Sequence, residues 1–207
     1  DADLDIAATL TGTGTINILG QSAATDIALG SGQTGILALS VTDLANITNG
    51  WSDIIIGRTD GTGAINAGAL TWNDNLELRT NTGIITINGA QTMGANTLTL
   101  STAGDAAINA ALTGTGTLNL RGIAANTTMG VGTAQAGTFQ LSNADLSNIT
   151  NGWGDIIIGR TDGTGTINVG ALTWQDNLTL QSAGGSLVVA GAQNMGANTL
   201  TLSTDNT

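Results

Sequence analysis

Few side chains in this sequence can do chemistry, and they cluster. There is no His, Cys or Tyr. Reading along the chain adds that Lys is missing and that the only glutamate is Glu77. What remains is a set of aspartates, four Arg (Arg58, Arg79, Arg121, Arg160) and four Trp. The densest gathering is W-x-D-x-x-x-x-R-T, which occurs at Trp51, Asp53, Arg58, Thr59 and again at Trp72, Asp74, Arg79, Thr80. Three chemistries suit those types. Asp53 and Asp74 could share a Ca²⁺, which favours several oxygen ligands, with Asp155 and Asp176 as a second copy. Trp51 and Trp72 could stack a sugar ring. Asp53, Asp60 and Asp74 with Arg58 could serve a polysaccharide hydrolase or lyase, which works through carboxylates.

Each has a plainer counterpart. Asp can cap a turn or pair with a nearby Arg, and Trp can cover a corner of the core. The absence of the usual bases and nucleophiles argues against an enzyme. Asn-x-Ser/Thr at Asn46, Asn126, Asn148 and Asn177 suits glycosylation only in some hosts, and Asn ladders at strand corners are the alternative. Thr-x-Thr at 11–15, 97–99, 113–117 and 199–201 could order water for ice binding, but the phrase does not recur at every period.

The elements that would position these residues follow from repetition. The stretch from Trp51 recurs from Trp153 at an offset of 102, as WGDIIIGRTDGTGTINVGALTWQDNLTLQS. LANITNGW and LSNITNGW, and QTMGANTLTLST and QNMGANTLTLST, keep the same offset without a gap. The chain therefore divides into unit 1 (residues 1–102), unit 2 (103–204) and the start of a further unit (205–207). The opening DADLDIAATL already lies inside the pattern, which reads as a piece of something longer.

Within each unit, apolar pairs at i, i+2 recur as Ile16/Ile18, Leu37/Leu39, Ile54/Ile56, Leu76/Leu78, Leu98/Leu100 and Leu118/Leu120. A second column follows about ten residues later, at Ile27/Leu29, Ile47, Ile65, Ile85/Ile87, Ile108 and Met129. Alternation at period two marks strands with one buried face. Helical spacing is not sustained anywhere. A third short strand is expected at Ala69–Trp72 and at Ala171–Trp174. A recurrence near 21 residues cannot build hairpins. It predicts a solenoid in which each strand pairs in parallel with its counterpart in the next coil. The predicted fold is all-β: a right-handed parallel β-helix with about five coils of ~20 residues per unit and about ten in all. At about 4.8 Å per coil that is a rod of about 50 Å.

The W, D and R marks step by 21 while Ile54/Ile56 to Leu76/Leu78 steps by 22. A bulge at Gly57 would absorb the difference; otherwise Ile55 is the buried residue. In this frame Trp51, Asp53, Arg58, Trp72, Asp74, Arg79, Trp153, Asp155, Arg160, Trp174 and Asp176 are corner residues, repeated because one corner is turned repeatedly.

The phrase I-x-I-G-R-x-D-G-T-G-x-I covers Ile54–Ile65 and Ile156–Ile167. It resembles repeats in very large secreted bacterial surface proteins of the filamentous haemagglutinin type. The resemblance implies a right-handed β-helix, export across a Gram-negative envelope, and a role as stalk, fibre or adhesin.

Composition bounds the rest. The net charge of −11 without basic clusters argues against nucleic acid and anionic membranes. No apolar run approaches a membrane span. The absence of Cys excludes disulfides. The expected function is a non-catalytic structural segment of an extracellular or cell-surface fibre, self-associating end to end or continuing into further repeats, with no cofactor unless Ca²⁺. The competing expectation is a carbohydrate-binding or polysaccharide-cleaving module, with glycans or cell surfaces as partners. Ice binding is the remote third.

Overall fold

The computed structural model describes residues 2–204, with side chains from Leu4 onward, so the start of a third unit at 205–207 lies outside the described residues. The protein is almost entirely strand, and every strand pair is parallel. One long sheet of eight strands runs through it: Thr15–Ile18, Asp53–Gly57, Asn75–Arg79, Leu98–Ser101, Thr117–Arg121, Asp155–Arg160, Leu178–Ser182 and Leu200–Ser203. Their order in space is their order in sequence. Each visit to this sheet is called a rung below.

Between visits the chain makes a second sheet and a short third one. The third holds Leu70–Thr71, Gln91–Thr92 and Leu112–Thr113 in one piece and Leu172–Thr173 with Gln193–Asn194 in another. Alternate residues of all three sheets point into one shared core. Leu29, Leu39, Ile56, Leu78, Ile87, Leu100, Leu120, Ile158 and Leu180 are fully buried there. Each such side chain contributes about 2 kcal/mol through burial, which is how a chain with one Phe and no Tyr holds together.

The boundary between units is not a break. Leu98 pairs with Leu118 and Leu100 with Leu120 in the same ladder that runs inside each unit.

Four features differ from the sequence expectation. First, each unit has four rungs in the long sheet, so the described residues make eight rather than ten. Leu37–Leu39 is not a long-sheet strand. It lies in the second sheet beside Ile27–Leu29, with Ile27 against Leu37 and Leu29 against Leu39. The rung from Ile16 to Ile54 is therefore an expanded one. Second, two short helices occur, Val41–Ala45 and Asn143–Ser147. Each opens on a capping box: the Ser40 hydroxyl accepts from Asp43 N–H, and the Asp43 carboxylate accepts from Ser40 N–H, as Ser142 and Asp145 do in unit 2. Third, Ile47 is not a second-sheet strand residue but makes an isolated parallel bridge to Leu10, with Ile149 to Leu112 as its repeat. Fourth, no residue is left over at Gly57. Asp53 to Gly57 pair with Asn75 to Arg79 at a constant step, Gly57 opposite Arg79. Ile54 and Ile56 are buried and Ile55 is only half so.

Gly57 is required by that register. Its φ is +98°, and a Cβ there would lie 2.0 Å from the Arg79 carbonyl oxygen. Gly159 repeats this at φ +100° against Gln181. The glycine of the I-G-R phrase thus lets one rung lie flat on the next.

The helices also manage strand edges. Asp43 Oδ1 accepts the Ile6 N–H at 2.8 Å, and Asn46 Nδ2 donates to the Ile6 carbonyl at 2.6 Å. Asp145 and Asn148 clamp Ile108 identically. In unit 2 the second sheet ends at Ala106–Ile108 and restarts at Phe139–Leu141. Side chains there take the place of the ladder, keeping buried backbone groups bonded.

Candidate functional site

The repeated W-x-D…R-T does not form a repeated site. The strand step of 22 places Asp53 opposite Asn75, not Asp74. Asp53 and Asp74 therefore occupy different register positions, as do Arg58 and Arg79. Asp74 is buried and accepts the Gly50 N–H at 2.8 Å; Asp176 does the same for Gly152. Asp53 is half-buried and Asp155 exposed. Among the described residues no group of three or more His, Cys, Asp or Glu is placed to hold a metal.

The tryptophans face inward. Trp72, Trp153 and Trp174 are buried and Trp51 is half-buried. Trp72 Nε1 donates to Gln91 Oε1 at 2.9 Å, and Gln91 Nε2 donates to the carbonyls of Gly68 and Gly89 at 2.6 and 2.8 Å. Gln193 repeats this network under Trp174. Trp153 lies against Gly114, where a Cβ would meet its ring at 2.7 Å, and Trp51 lies against Gly12 in the same way. These rings fill corner columns, which leaves Trp72 and Trp174 only 5 % and 6 % exposed.

The arginines are engaged locally. Arg58 grips Asp60 through two bonds of 2.8 and 2.9 Å, and its Nη1 reaches the Gly20 carbonyl. Arg160 and Asp162 match this at 2.7 and 2.8 Å. The guanidinium hydrogen bonds hold the Asp60 and Asp162 carboxyls below the ordinary range. Both aspartates are exposed, so these pairs add little stability. Arg121 reaches Glu77 at 3.0 Å, two rungs away, and Arg79 Nε donates to the Gly57 carbonyl. Asn75 and Asn177 tie successive rungs: Asn75 donates to Ser52 O and accepts from Thr97 N–H, and Asn177 bonds Gly154 and Thr199. Together with Asn46 and Asn148, they spend their side chains on neighbouring backbone. Asn126 is exposed.

One concavity recurs. An open groove of about 530 Å³ lies between the Val41–Ala45 helix and the third sheet, lined by Val41, Leu44, Leu70, Thr71, Trp72 and Asp74. Its counterpart of about 560 Å³ is bounded by Asn143, Leu146, Leu172, Thr173 and Gln175. Thr71, Thr92 and Thr113 line up in one exposed column of the third sheet. Among the described residues the one ionisable side chain lining the first groove is Asp74, already bonded to Gly50. Among the described residues that line it, no acid is paired with a base.

Sequence reasoning missed Gln91, Gln193, Asp43 and Asp145. The signal for the aspartates was present: S-x-x-D at 40–43 and 142–145. Nothing distinguished the two glutamines from surface residues. Among the described residues no helix is long and apolar enough to cross a membrane. No family model matches the chain, and neither any curated protein nor any solved structure does.

Proposed function

We propose that the sheets close into a right-handed parallel β-helix, and that it serves as a non-catalytic structural segment of an extracellular bacterial fibre, filament or adhesin stalk. The observation that carries this is the uninterrupted eight-strand parallel ladder from Thr15 to Ser203, crossing the unit boundary without a change of register. Trp72, Trp174, Asp74, Asp176, Asn75 and Asn177 spend their side chains on the adjacent rung. Right-handedness is the sense that parallel crossovers adopt. The I-G-R-x-D-G-T-G phrase, with its glycine at the rung contact, favours a surface protein of the filamentous haemagglutinin type on a Gram-negative-type cell. Immunogold labelling of intact cells with antibody to this chain tests the placement: label on the outer surface supports it, and label confined to the cytoplasm overturns it.

The recurring groove favours a second reading, a carbohydrate-binding module. A glycan array with a reducing-end assay separates the two. Binding that is lost on Val41→Asp, or release of reducing ends, would replace the scaffold reading.

A further inference from the structure

We infer that Asn49–Gly50 and Asn151–Gly152 are sites of spontaneous backbone modification, where the buried carboxylates of Asp74 and Asp176 take the glycine amide proton and promote cyclisation of the asparagine to a succinimide.

Asn–Gly suits this reaction because glycine puts no side chain beside its own nitrogen. The pair occurs three times in the chain, at 49–50, 88–89 and 151–152. Two of the three share one environment. Asn49 and Gly50 are exposed in the turn that leads to Trp51, and Asn151 and Gly152 repeat it before Trp153. Gly50 and Gly152 both have a φ of +128°, a backbone that glycine adopts readily and other residues do not. Their N–H groups donate to Asp74 Oδ1 and Asp176 Oδ1, each at 2.8 Å. Both aspartates are only 5 % exposed, so water competes little for the charge-assisted bond.

The third pair differs. Gly89 N–H donates to the Ala67 carbonyl at 3.1 Å, and a peptide carbonyl is not a base. The Asn88 side chain is itself held, donating to Gln33 Oε1 and accepting from Asn109 Nδ2.

The step balances within the chain and water. The Gly50 proton lies in the peptide plane, aimed at Asp74, while the π electrons of the nitrogen stand perpendicular to that plane and face an attacking direction. The nitrogen bonds to Asn49 Cγ as its proton passes to Asp74. That proton then joins Asn49 Nδ2, which leaves as ammonia when its bond to Cγ breaks. Nothing is oxidised or reduced. Water reopens the succinimide at either carbonyl. Opening at Cγ leaves Asp, and opening at the backbone carbonyl leaves an isoaspartyl link with an extra main-chain carbon. Either product adds a negative charge to the corner between Ile47 and the Asp53–Gly57 strand.

Peptide mapping by mass spectrometry of the folded 207-residue chain, incubated at neutral pH, follows all three sites in one sample. The expected result is conversion at Asn49 and Asn151 on the order of a hundredfold faster than at Asn88, the scale of general-base catalysis. Asp74→Asn keeps an acceptor oxygen for the Gly50 N–H but removes the base. It should slow Asn49 to the rate of Asn88 and leave Asn151, in the same molecule, unchanged. Asp176→Asn should do the reverse. A variant that unfolds shows itself by altering both sites, and the wild-type contrast between Asn49 and Asn88 then decides. Equal rates at the three sites of the wild type overturn the inference. So does an Asn49 rate that Asp74→Asn leaves unchanged, which would reduce the carboxylate to an anchor for the turn.

Discussion

Replacing Gln91 by Ala strands three groups at once. The side chain is fully buried and satisfies the Trp72 indole N–H and the carbonyls of Gly68 and Gly89. Trp72 and Gly68 are themselves buried and Gly89 is half-buried, so water replaces only part of what is lost. Each abandoned buried partner costs about 1–3 kcal/mol, which puts Gln91→Ala at about 4 kcal/mol. Gln193 makes the same three bonds but is half-buried, on the last rung of the described residues. Its partners match those of Gln91 in burial, but Gln193 itself lies partly open, so water can enter where the side chain is removed, and Gln193→Ala should cost about 1 kcal/mol. Urea unfolding followed by far-UV circular dichroism measures both, with tryptophan fluorescence checking that the probes coincide. The expected outcome is a large fall in midpoint for Gln91→Ala and a small one for Gln193→Ala. Equal shifts, or a Gln91 variant as stable as wild type, would refute the claim that burial of the glutamine network sets its worth.

Gly57→Ala should destabilise by about 3 kcal/mol, because it combines left-handed strain with a forced shift of the Arg79 carbonyl; Gly14→Ala, with open space around its Cβ position, should change the urea midpoint little by comparison. Acid unfolding should involve Asp43. The Ser40 hydroxyl and then the Ile6 N–H hold its carboxyl below the ordinary value, against the opposing effect of burial. A depressed carboxyl stabilises the fold above about pH 4 and loses that contribution as pH falls through its folded value. Asp43→Asn should therefore lower stability at pH 7 and flatten the loss of stability as pH falls below about 4, read by thermal melts across pH. Adding EDTA should leave the melting temperature unchanged; a fall on chelation, reversed by Ca²⁺, would restore Asp53 and Asp74 as metal ligands.

The all-β parallel architecture was legible because it rests on repetition. A gapless offset of 102 and period-two apolar pairs leave little else for the chain to be. The number of rungs was not legible. Leu37/Leu39 alternate like any inward-facing pair, and alternation does not reveal which sheet a strand joins. The expanded rung between Ile16 and Ile54 hid an extra second-sheet strand and a helix of one turn, too short to show helical periodicity. The candidate site misled for a related reason. The polar marks at Trp51, Asp53 and Arg58 repeat at 21, but the strand repeats at 22, and burial of Ile54 and Ile56 sets the register. A one-residue mismatch was enough to turn an apparent pair of stacked carboxylates into Asp53 beside Asn75 and Asp74 beneath Gly50. The shared glutamine–tryptophan corner was invisible because a buried Gln reads as a surface residue until its partners are known.

The stacking of four rungs per unit is tested most directly by rod length. Chains carrying two, four and six tandem 102-residue units can be imaged by electron microscopy and measured along the long axis. Four rungs at about 4.8 Å require each added unit to lengthen the rod by about 19 Å at constant width. An increment of about 24 Å would restore five rungs per unit. Particles that widen instead of lengthening would contradict the stacked account altogether.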